Sequence, residues 1–138
     1  TLVTVSRRAV KASVPDYAAA SERSLTQVLT PLSAVDAVVV ACLPGLAEEL
    51  LFRGALMPAV GADMRGVLVA AAVFGVLHNN GGRNAAFAAF AGAAGAAYGV
   101  AALASGSIMS AAVAHAAANL IEAITWKQAN AGAHTDSS

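Results

Sequence analysis

Charge is scarce in this 138-residue chain: Asp, Glu, Lys and Arg make up 12% of it, and none occurs between Asn84 and Ile121. A water-soluble domain would carry roughly twice that share, so an ordinary soluble globular protein is excluded. Eight basic residues balance eight acidic ones, and a net charge of zero excludes a nucleic-acid surface or a strongly basic membrane-binding patch. Cys42 is the single cysteine, so no intramolecular disulfide can form and a small buried hydrophobe is its expected role. Aromatics are also few, at 5%. What fills the chain is Ala, Gly and Val, which insert weakly per residue and suit spans that pack on one another or on a partner more than on lipid. Gly92 with Ala96, and Gly95 with Gly99, have the small-xxx-small spacing that membrane helices use for close approach.

Residues 1–32 read as a polar lead-in, aperiodic apart from a surface helix over Tyr17 to Leu29 bracketed by Pro15 and Pro31. Thr1 in place of Met, followed by Arg7, Arg8 and Lys11, suggests a fragment or processed form. A membrane core follows over residues 33–127, then a polar, loose tail over 128–138. Within the core the apolar segments run from Ser33 to Pro58, Asp63 to His78, Ala85 to Ala104 and Ser107 to Trp126, separated by Gly, Asn and Ser turns. The expected fold is all-α, a polytopic transmembrane bundle of about four core helices, each near ~20 residues except the shorter second. Pro44 and Gly45 are expected to kink the first span, while Glu122, Trp126 and Lys127 read as interfacial anchors at the end of the last. His134, in the tail, has no role.

Against this apolar background stand Glu48, Glu49, Arg53, His78, His115 and Asn119. Ionisable groups at bilayer depth cost at least about 2.5 kcal/mol each, so they face a protein interior or a wet cavity and mark function. Counting a rise of ~1.5 Å per residue from the Gly61 and Gly106 turns, taken as on one side, puts Glu48 at ~15–20 Å, His115 at ~12–14 Å and Asn119 at ~18 Å. His78 lies ~22 Å along its own segment, so these residues fall in one slab of the core. Glu49 and Arg53, four apart, share a helix face and can pair; Glu48 is turned about 100° away and is left free to accept a proton. Phe74 with His78, and His115 with Asn119, repeat the four-residue spacing.

A carboxylate beside two imidazoles can hydrolyse an amide in two ways. If Zn2+ or another divalent metal is used, His78, His115 and Glu49 hold it and Glu48 acts as base. Without a metal, Glu48 and His78 hold and deprotonate water while His115 and Asn119 donate hydrogen bonds to the developing oxyanion. Both routes remain open at the level of sequence.

The run Glu48, Glu49, Leu50, Leu51, Phe52, Arg53, with Phe74 to His78 and His115 to Asn119, resembles the three motifs of the CAAX protease and bacteriocin-processing enzyme family. That resemblance implies intramembrane proteolysis of membrane or lipidated proteins, with Glu48 as the water-activating base and Glu49, Arg53, His78, His115 and Asn119 completing the catalytic set. It also implies further membrane helices ahead of Glu48, or a neighbouring subunit that completes the cavity. Leu50 to Pro58, the loop from Asn79 to Arg83 and Ala97 to Val100 are similar to a plastid branch that includes balance of chlorophyll metabolism proteins. This implies a chloroplast address, thylakoid or envelope, and partners in a larger membrane complex. The function expected first is therefore a peptidase; the alternative is an idle relative that scaffolds or stabilises a thylakoid protein complex.

Overall fold

The computed structural model describes residues 1–131, and these are helical nearly throughout. Helix α1 spans Leu2–Ser13, α2 Pro15–Leu29, α3 Ala34–Glu49, α4 Met57–Val60, α5 Met64–Leu77, α6 Ala85–Ser105 and α7 Ile108–Asn130. Local chemistry sets most boundaries. Asp63, Asn84 and Ser107 each adopt extended backbone and accept a hydrogen bond from the first turn of α5, α6 and α7, satisfying donors that have no partner inside the helix. Gly106 closes α6 with φ 66°, a left-handed conformation that costs glycine nothing.

Helix α3 runs through Pro44. The first span also departs from α geometry further on, at Leu50–Leu56, as a π-helical stretch joining α3 to α4. Widening one turn there holds Phe52 and Arg53 buried on the side away from lipid, in keeping with the tendency of π segments to occur at functional sites.

Small residues then bring the helices together. The most extensive pairings are α5 with α6 and α3 with α7. On the first, a Cβ added to Gly75 would lie 2.8 Å from the Ala88 carbonyl oxygen and 3.1 Å from Gly92 Cα. Both obstacles are backbone, so the helices cannot approach this closely with any side chain at Gly75. Gly75→Ala is therefore expected to lower stability by about 1–3 kcal/mol, the usual range for overpacking, read as a lower unfolding midpoint in detergent. Gly92 and Gly99 make the matching approaches to Ala71 and Val67 on α5.

Helices α6 and α7 are long and apolar enough to cross a membrane, and α5 is a shorter apolar helix. On α3, the π stretch and α5, Val35, Leu43, Leu50, Leu51, Leu68 and Val76 are exposed. Large apolar side chains displayed along helix after helix suit lipid rather than water. The fold is an all-α membrane bundle.

The lead-in departs from expectation. Leu2–Ser13 is helical, not aperiodic, and strongly amphipathic, with Thr1 as its cap; it packs Val3 into a core cluster with Tyr98, Ala102, Ala111 and Ala118. Pro15 explains the break between α1 and α2: its ring keeps Val14 extended, at φ −124° and ψ 95°, and fixes φ for the first turn of the next helix. Both helices lie across the bundle. Tyr17 stacks on Phe87 and meets Phe90 at a tilt, both of α6, with centroids at 5.6 and 4.9 Å, and Arg23 donates to the Gly82 carbonyl. The residues expected as interfacial anchors also tie to this region. Glu122 pairs with Arg7 and Lys11, the Trp126 indole N–H donates to Glu22, and Lys127 donates to the Leu32 carbonyl. Local spacing could not show this, since each partner lies about a hundred residues away. At the other end α7 runs on to Asn130, past the point where a loose tail was expected; the remainder of that tail, with His134, lies outside the described residues.

Candidate active site

Glu49 and Arg53, one turn apart across the junction of α3 and the π stretch, form a buried ion pair of 2.9 Å with no side-chain exposure on either partner. Arg53 also donates to the Gly95 carbonyl of α6. Its guanidinium carbon lies 5.8, 5.3 and 5.8 Å from the ring centroids of Phe52, Phe74 and Tyr98, so the cation is enclosed by negative ring faces as well as by its carboxylate. Gly95 is what admits it: a Cβ there would stand 3.1 Å from Arg53 Nη2 and 3.2 Å from Phe74 Cδ1.

The same Glu49 oxygen reaches α7. His115 Nδ1 lies 2.8 Å from Glu49 Oε1, and an ionised carboxylate can only accept, so Nδ1 carries the hydrogen. His115 Nε2 is thereby turned toward Glu48, whose Oε2 stands 3.7 Å away. Tyr98 stacks on the imidazole, with centroids 4.7 Å apart and planes 16° apart. Held by a bond on one edge and a ring on one face, His115 has a fixed orientation.

His78 is positioned by the end of α5. Its Nδ1 is 2.7 Å from the Phe74 carbonyl oxygen, which again places the hydrogen on Nδ1 and leaves Nε2 as an acceptor. Its ring rests on Phe74 at 4.2 Å. The four-residue spacing thus has two uses at once, a carbonyl to fix the tautomer and a ring to support the imidazole.

Glu48, His78, His115 and Asn119 line one cavity of about 320 Å³. Its other wall comes from α1 and α2, through Arg7, Tyr17, Ser21, Ser24 and Leu25 among others. Burial there pushes the Tyr17 phenol up to about 12, so that wall presents a neutral hydroxyl across the physiological range. Glu48, with 31% side-chain exposure, is the accessible carboxylate, and Glu49, with none, is the sealed one. The six residues singled out by sequence are therefore brought to one place but in two layers: Glu48, His78, His115 and Asn119 at the cavity, Glu49 and Arg53 behind it.

These donors do not gather into a three-ligand set for a metal. Glu49 Oε1 is engaged by Arg53 and His115, while the hydrogen bonds at Nδ1 leave Nε2 of both imidazoles open, the arrangement in which histidines also hold metals. Among the described residues no group of three His, Cys, Asp or Glu side chains could hold an ion.

Two contributors escaped the sequence reading. Arg7 donates to the Ala118 carbonyl at 3.3 Å and to Asn119 Oδ1 at 3.5 Å. Tyr98 is 3% exposed and its hydroxyl has no hydrogen-bond partner among the described residues. A clue to Tyr98 existed, since it is the one residue with an ionisable side chain in α6. An unpartnered buried hydroxyl costs about 1–3 kcal/mol, so Tyr98→Phe is expected to leave the thermal midpoint in detergent unchanged or raised.

A family model for the type II CAAX prenyl endopeptidase Rce1-like proteins matches residues 30–121. The chain belongs to this family. The matched segment contains all six residues of the site, whereas the α1–α2 wall of the cavity lies ahead of it. No curated protein and no solved structure gives a match. Family membership, together with two helices able to span a bilayer, makes the chain a membrane protein of the CAAX protease type.

Proposed function

We propose that the chain is an intramembrane peptidase in which Glu48 activates water for attack on a peptide carbonyl. The observation that carries this reading is the division of labour between the adjacent glutamates. Glu49 is sealed against Arg53 and holds His115, while Glu48 stands free at the cavity, 3.7 Å from His115 Nε2. A water set off the line between Glu48 Oε2 and His115 Nε2 can touch both.

The steps use this chain's own groups. Glu48 takes a proton from the water as its oxygen attacks the carbonyl carbon. His78, with Nε2 free, helps hold the water. The oxyanion that forms is met by the Asn119 amide N–H, with His115 contributing when its Nε2 is protonated. Glu48 then returns the proton to the leaving amine. Glu49 and Arg53 act by positioning, through His115, and touch no reacting atom.

A cavity of about 320 Å³ with aromatic and aliphatic walls suits an extended peptide with bulky apolar side chains or a lipid-modified C-terminus. The chloroplast membrane suggested by the plastid-like segments, and a scaffold role within a thylakoid complex, form the second reading; the free Glu48 favours the first. The test is to reconstitute the protein in liposomes with a membrane-anchored peptide and analyse products by mass spectrometry. Two fragments whose masses sum to the substrate plus one water are expected; an intact substrate beside a stably bound partner would replace catalysis with scaffolding.

A further inference from the structure

The α1–α2 segment lies ahead of the family-matched residues 30–121, yet it forms one wall of the cavity and reaches the site through a single cation. Arg7 Nη2 donates to Asn119 Oδ1 at 3.5 Å, and Nη1 donates to the Ala118 carbonyl at 3.3 Å. A guanidinium has five donors and no acceptor, so beside it the Asn119 amide is favoured with its oxygen toward Arg7. The two amide hydrogens are then directed away from Arg7. An unconstrained asparagine would sample both orientations, and the flipped one would present a carbonyl oxygen to a developing negative charge.

Arg7 is itself held. Glu122 Oε2 lies 4.0 Å from Nη1, Lys11 pairs with the other oxygen of Glu122, and the Phe90 ring lies 6.0 Å from the guanidinium carbon. Arg7 and Lys11 are one turn apart on α1, and Ala118, Asn119 and Glu122 lie along one side of α7, so the contact is a helix-to-helix seam with the site at one end of it. Glu122 carries a single negative charge against two cations, which leaves Arg7 able to contribute positive potential toward Asn119.

From these contacts we infer that Arg7 is a positioning residue for hydrolysis, fixing Asn119 as an oxyanion donor. The inference rests on the hydrolase reading of the site. Its role appears in the chemical step and not in substrate binding, because the oxyanion exists only after attack.

The test is steady-state cleavage of a membrane-anchored peptide in liposomes by wild type, Arg7→Met, Arg7→Lys, Asn119→Ala and the Arg7→Met/Asn119→Ala double variant. Arg7→Met is expected to lower kcat about tenfold or more with KM nearly unchanged, as for loss of an interaction made only in the transition state. Arg7→Lys, which keeps a donor and a charge, is expected to recover part of the loss. The double variant is expected to be no slower than Asn119→Ala alone, since Arg7 acts through Asn119. An active wild type with unchanged kcat in Arg7→Met, or losses that multiply in the double variant, would overturn this role while leaving the hydrolase reading intact. An inactive wild type would overturn both.

Discussion

Glu48→Gln is expected to lower kcat by about 10²- to 10⁴-fold, the range for removing a positioned general base, while leaving the fold intact. The two halves of that expectation come from the same geometry. Glutamine keeps the shape and one carbonyl oxygen but cannot take a proton from water, so the attacking nucleophile is lost. Stability is spared because, among the described residues, Glu48 forms no short hydrogen bond; His115 Nε2 stands 3.7 Å from it, and a third of its side chain is exposed. Removing it strands no buried counter-charge. Circular dichroism and a thermal midpoint in detergent close to wild type, measured beside the cleavage rate, would separate catalysis from unfolding.

Arg53→Ala is expected to show the opposite pattern, a loss of stability of about 3–5 kcal/mol with activity falling as a consequence. Breaking a buried ion pair leaves an uncompensated charge in low dielectric, here Glu49, which has no side-chain exposure. Truncation also empties a site enclosed by Phe52, Phe74 and Tyr98 and leaves the Gly95 carbonyl without its donor. His115 still has Glu49 as a partner, but that carboxylate has lost its anchor. Replacing both partners by apolar residues, as in Glu49→Leu with Arg53→Met, is expected to recover part of the stability, since a buried pair can be matched by hydrophobes of similar volume. Activity is not expected to return, because His115 Nδ1 then has no carboxylate to fix its tautomer. Thermal unfolding of the single and double variants in one detergent checks both statements.

Much of the site was legible because its spacing is helical. Glu49 with Arg53, Phe74 with His78, and His115 with Asn119 are each four residues apart, and in a helix that spacing puts each pair on one face with no tertiary knowledge needed. Counting residues from turns was enough to bring three segments to one depth, since rise per residue is nearly constant. The division of roles between Glu48 and Glu49 follows from the same periodicity, one facing Arg53 and the other turned away.

What stayed hidden depends on contacts that local pattern does not encode. Arg7 meets Asn119 across 112 positions, and a polar N-terminal stretch carries no mark of the helix it will cover. The π-helical stretch at Leu50–Leu56 was equally unreadable, because any apolar run of that kind is compatible with α geometry, and Pro44 was the more conspicuous candidate for an irregularity. Tyr98 falls between these cases: its place in an otherwise uncharged helix was visible, but its stacking on His115 depends on how α6 and α7 are rotated against each other. The α4–α5 turn was simple by comparison. Asp63 there accepts from Arg65 and Gly66, and those hydrogen bonds hold its carboxyl below the usual range.

The most direct measurement is a side-by-side product analysis of wild type and Glu48→Gln, purified identically and reconstituted at equal density with a membrane-anchored peptide. Fragments from wild type that together contain one added water, and none from Glu48→Gln, are the expected result. Equal cleavage by both proteins, or none by either while a partner protein remains bound to each, would contradict a glutamate-activated intramembrane peptidase.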